Sequence, residues 1–91
     1  MKLNTGRLVV TRGVNEELAI NEEFAKFVME SLVKYRNCNW GQTHKDDSEL
    51  NDKSVLNNWR VVAKYENHEH TIFIITEHDR SATTILFPDE Y

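Results

Sequence analysis

The chain predicts an α+β fold. We expect a two-layer sandwich in the order β-α-α-β-β-β, with a mainly antiparallel sheet of about four strands and one long helix packed on one face. Three observations carry this. Residues 24–35 repeat apolar side chains at spacings of three and four. Residues 59–87 alternate or run apolar in three short segments. One β-branched segment stands alone near the start.

That first segment is "GRLVVT", residues 6–11, between Gly6 and Gly13. It reads as a strand. "VNEELAINEEF" then offers two helix starts, a short turn capped by Asn15 and a longer helix capped by Asn21. Glu22 and Glu23 suit the positive end of that longer helix. Phe24, Phe27, Val28, Ser31, Leu32 and Tyr35 make its buried stripe, and Lys34 and Arg36 suit its negative end. "NCNWG" stops it.

The polar stretch 42–58 predicts a loop and then a short acidic helix near 46–57. "WRVVAKYE" (59–66) alternates, with Trp59, Val61, Ala63 and Tyr65 sharing one side. "NHEH" (67–70) is a polar turn, and "TIFIIT" (71–76) is apolar enough for a central strand. "ATTILF" (82–87) closes the meander, and Pro88 ends it by removing a ladder donor. Phe24, Phe27, Trp59, Phe73 and Phe87 are the expected core anchors.

The chain has 91 residues, enough for a single domain over 1–91 and one core. Its net charge of −4 argues against nonspecific nucleic-acid binding, which needs a basic surface. A basic protein partner suits it better. The lone Cys38 permits no disulfide within the chain, and there is neither a signal-like start nor an apolar run of membrane length. A cytoplasmic protein without cofactors is the expectation.

"EHDRS" (77–81) assembles catalytic residue types, but neighbours in an extended chain point to opposite sides and cannot converge as a triad. Turn chemistry explains it better: Asp79 and Ser81 accept backbone donors, and Arg80 points out or pairs with an acid. His68 and His70 have a ligand-like spacing, yet His78 falls at the far end of the next strand, and Cys38 and His44 fit no zinc pattern. Two solvated turn histidines are expected, with no metal and no catalytic residue. Trp40, beside Gly41, has two readings: cover for the helix end and core edge, or anchor for a protein contact. Tyr91 has the same two. Asp46, Asp47, Glu49 and Asp52 cluster just after Trp40. The contact reading joins these five as a partner-binding surface.

"TRGVNE", the Trp-Gly pair and "ITEHDRSATTILFP-E-Y", with nearly the whole chain between them, resemble small "plasmid-related" proteins of conjugative plasmids, integrative elements and phages. "NWGQTHKDD" is less acidic than the run that follows Trp-Gly in that group. The resemblance implies a mobile-element protein that binds rather than catalyses. The leading expectation is an inhibitor of host defence, anti-CRISPR or anti-restriction, that presents carboxylates to a basic nucleic-acid-binding groove. A second is a plasmid or phage accessory protein that binds itself, as a homodimer, or another element-encoded protein. A third is a small metal protein or enzyme using His68, His70 and His78.

Overall fold

A computed structural model describes all residues, 1–91, as α+β with one four-stranded sheet and three helices. The order is β1 (Arg7–Val10), α1 (Arg12–Ile20), α2 (Glu22–Arg36), α3 (Lys45–Asn57), β2 (Val61–Glu66), β3 (Thr71–Thr76), β4 (Ala82–Leu86), then a 3₁₀ turn at Pro88–Glu90. Three helices stand where the expected order had two: the long helix is α2 and the acidic one α3, and α1 is additional. The short turn expected at Asn15 is the nine-residue α1, capped by Thr11, whose hydroxyl faces the Val14 N–H.

The strands lie in the order β1-β4-β3-β2. β2, β3 and β4 form antiparallel pairs, but β1 runs parallel to β4, with Leu8 beside Thr83 and Val10 beside Ile85. The sheet is mixed rather than mainly antiparallel. Gly6, with φ +58°, makes the close approach possible: a Cβ there would run into the backbone carbonyls of Arg80 and Ser81.

Helix α2 forms as its pattern dictates. Asn21 accepts the Phe24 N–H at 3.0 Å, and Phe24, Val28, Ser31, Leu32 and Tyr35 are buried. Phe24, Val28 and Tyr35 join Val61, Ala63, Tyr65, Ile72, Ile74 and Ile85 in the core. These strand residues share one face, as their register requires. On the opposite face Tyr91 sets its ring edge-on to Phe73, with centroids 5.8 Å apart.

Of the five expected anchors only Phe24 is fully buried. Trp59 is 49% exposed, because Asn58 turns left-handed (φ 55°) and the strand starts only at Val61. Phe27, Phe73 and Phe87 are half-buried. Trp40 takes the place Trp59 was expected to fill.

One buried polar chain crosses the base of the core. Thr83 donates to the Thr5 carbonyl at 2.6 Å. Its only proton is then used, so Thr76 must donate to Thr83 (2.6 Å) and Tyr35 to Thr76 (2.7 Å). Burial pushes the Tyr35 hydroxyl well above its ordinary range, which keeps it the donor this chain needs.

Candidate functional site

The segment between α2 and β2 is where sequence pointed, and it does two jobs at once. Gly41 (φ +60°) lets the chain turn against the Tyr65 ring, where any Cβ would collide. The chain then runs beside β2 and supplies partners for its outer edge. The Gln42 N–H donates to the Lys64 carbonyl at 3.0 Å. The Thr43 hydroxyl accepts the Lys64 N–H at 2.8 Å, and the Gln42 carboxamide accepts the Glu66 N–H at 3.0 Å. From α3, Asn51 donates to the Val62 carbonyl at 2.8 Å and accepts the Val62 N–H at 3.3 Å. Its amide stands in for a peptide group of a neighbouring strand. Side chains and one short stretch of loop thus seal this edge.

The other end of α3 is clamped by the turn at 77–81. Arg80 has φ +61° and directs its guanidinium to the carbonyls of Ser54 and Trp59, each at 2.8 Å, and of Glu77 at 3.2 Å. It neither points out nor pairs with an acid, as the sequence reading expected. The Ser54 carbonyl also accepts the Asn58 and Trp59 N–H groups, so Arg80 adds a charged donor at the negative end of α3. Asp79 accepts the Ser81 N–H at 3.0 Å, as expected of turn chemistry. The Ser81 hydroxyl and N–H hold the Asp79 carboxyl below its ordinary value. Nothing there converges as a nucleophile and base.

Trp40 is 6% exposed, with its ring edge-on to Tyr35 at 5.6 Å. Its indole N–H donates to Asp52 at 2.9 Å. Of the two readings of Trp40 this is the cover: the ring is spent on the core. The five expected contact residues therefore divide. Asp46, Asp47 and Glu49 are exposed on the first turns of α3. Asp52 is exposed too, but one oxygen is engaged by Trp40. His44 caps the helix by accepting the Asp46 N–H at 3.2 Å. A groove of about 250 Å³ lies between the start of α3 and the sheet, lined by Thr43, His44, Asp47, Val62, Lys64 and Phe73. Its one hydroxyl, on Thr43, already donates to the Trp40 carbonyl and accepts from Lys64.

The histidines do not gather. No three His, Cys, Asp or Glu side chains come close enough to hold a metal ion. His68 is solvated, as expected, but His70 is not. Its ring packs 4.6 Å from Phe24 and stacks 6.3 Å from Phe87, with Nε2 3.4 Å from Glu17. Cys38, left-handed at φ 61°, is half-buried, and burial raises its thiol pKa. Tyr91 remains 64% exposed and accepts a hydrogen bond from Arg60 at 3.1 Å.

Sequence reasoning missed Asn51, Gln42 and Thr43. They look like ordinary polar residues of a polar stretch, and only the fold makes them the boundary of the sheet. It also missed Glu90, whose carboxylate accepts from the Thr11 hydroxyl (2.6 Å), the Gly13 N–H (2.9 Å) and the Phe87 N–H (3.0 Å). Those donors, the Thr11 hydroxyl foremost, hold its carboxyl below the ordinary range. No helix is long and apolar enough to cross a membrane. Searches against protein-family models, curated proteins and solved structures return no match to this chain.

Proposed function

We propose that this protein works by binding another protein rather than by catalysis, as a cytoplasmic inhibitor of host defence carried by a mobile element. The observation that carries the reading is the acidic start of α3. Asp46, Asp47 and Glu49 are exposed on a helix fixed at its middle by the Asn51 contact with β2 and near its C-terminal end by Arg80. A fixed helix loses little freedom when a partner docks on it, so its carboxylates are preorganised. The partner that suits them is a basic, nucleic-acid-binding surface of a defence nuclease, anti-CRISPR or anti-restriction in outcome. The contact surface is α3 with Asp52 at its margin, and Trp40 supports it from below.

The test is capture from host lysate by the native chain and by a triple charge reversal, Asp46→Lys, Asp47→Lys and Glu49→Lys. Circular dichroism verifies that α3 persists. The native chain should retain a basic protein, with affinity falling steeply as salt rises. Equal capture by the reversed chain would sink the proposal.

A second reading is favoured by a separate observation. An accessory protein that binds itself needs a free edge, and β1 has one.

A further inference from the structure

Strand β1 lies at the sheet's other margin, paired only with β4. Arg7 and Thr11 donate their backbone N–H groups inward, to Ser81 and Ile85, each at 3.1 Å. Peptide groups alternate along a strand, so those of Leu8 and Val10 point outward. No loop or side chain of the protein bonds them. Around them Leu8 is 43% and Val9 40% exposed. An apolar strand with open peptide groups is a template for another strand.

We propose that this edge is closed by a second copy of the chain, β1 against β1, antiparallel about a two-fold axis at Val9. This register uses the whole strand. Leu8 faces Val10 of the second copy, and the two exchange both backbone bonds. The axis repeats that pair, so all the outward groups are satisfied. Val9 meets Val9 across a non-hydrogen-bonded position, where side chains sit closest.

Charge identifies the occupant as a second copy. Arg7 is exposed and makes no ion pair or side-chain hydrogen bond in the single chain. In this register Arg7 lies opposite Thr11 of the other copy, on the same face. The Thr11 hydroxyl holds the Glu90 carboxylate at 2.6 Å. That carboxylate accepts three donors and keeps room for a fourth. The Arg7 of each copy thus meets the Glu90 carboxylate of the other, twice about the axis, as a self-complementary two-fold interface requires. The sealed β2 edge prevents head-to-tail addition, so assembly stops at two.

Sedimentation of the purified chain at its highest soluble concentration tests this. A dimer is expected. Leu8→Pro removes an outward N–H that has no partner inside the chain, and should give a folded monomer. Arg7→Glu should weaken the dimer about tenfold or more by setting acid against acid. With Cys38→Ser in place, Val9→Cys should join two copies by a disulfide under mild oxidation, since the facing positions are close enough. Leu8→Cys should not, because Leu8 faces Val10. If Leu8→Pro does not fold, the Val9→Cys result decides. A monomer in isolation, or a dimer that neither Leu8→Pro nor Arg7→Glu weakens and Val9→Cys cannot link, overturns the proposal.

Discussion

At the β2 margin of the sheet the outward N–H and C=O of Val62 and Lys64 and the N–H of Glu66 all have partners from residues 42–51, whereas at the β1 margin the outward groups of Leu8 and Val10 have none within the chain. Both are edge strands of one sheet. They differ in what the chain does next to them. Before β2 come a loop and a helix that supply Gln42, Thr43 and Asn51, whose side chains imitate a strand. After β1 the chain turns at once into α1 and leaves the edge bare. A small protein can silence one edge with side chains and leave the other for a partner.

The largest effects should come from opening the sealed edge. Lys64→Pro removes the N–H that the Thr43 hydroxyl accepts and leaves that hydroxyl its bond to the Trp40 carbonyl alone. It should cost about 3 kcal/mol or more, read by urea unfolding. Leu8→Pro, the same change on the bare edge, should alter the stability of the single chain by under about 1 kcal/mol. If the two cost the same, the edges do not differ as described.

Asn51→Ala leaves the half-buried N–H and C=O of Val62 without protein partners and should cost about 2 kcal/mol.

The clamp on α3 should matter as much. Arg80→Ala removes charged bonds to the Ser54 and Trp59 carbonyls and should cost about 2 kcal/mol. Arg80→Gly loses the same bonds but fits the left-handed φ freely. It should be about 1 kcal/mol more stable than the alanine variant in the same unfolding assay.

The smallest effect is a pH dependence at the bare edge. The Glu90 carboxyl lies below its ordinary value of 4.5. A group depressed in the folded state contributes stability that is present above its unfolded value and lost as pH falls through the folded one. Stability should therefore decline below pH 4.5, and a Glu90→Gln variant should show a shallower decline over that window.

Much of the fold was legible because it is local. Asn21, the acids behind it and the 24–35 stripe specify α2 without help. The last three strands announce themselves, β2 and β4 by alternation and β3 by its apolar run, and Asp79 and Ser81 mark the turn between β3 and β4. What was hidden is nonlocal. Nothing near "RLVV" says it will run parallel to residues 82–85, more than seventy positions away. Trp59 continues the β2 alternation on paper, but a left-handed Asn58 breaks the strand before it reaches the core. Trp40 sits among polar residues, so its burial depends on Asp52, a helix away, to take its N–H. Asn51 carries no local mark at all. Its role exists only once α3 lies along β2.

The most direct measurement is native-state amide hydrogen exchange on the Arg7→Glu chain, in which self-association is suppressed. The account predicts strong protection at Val62 and Lys64, matching the inner ladder, and rapid exchange at Leu8 and Val10. Outward amides on β2 that exchange as fast as those of Leu8 and Val10 would contradict it.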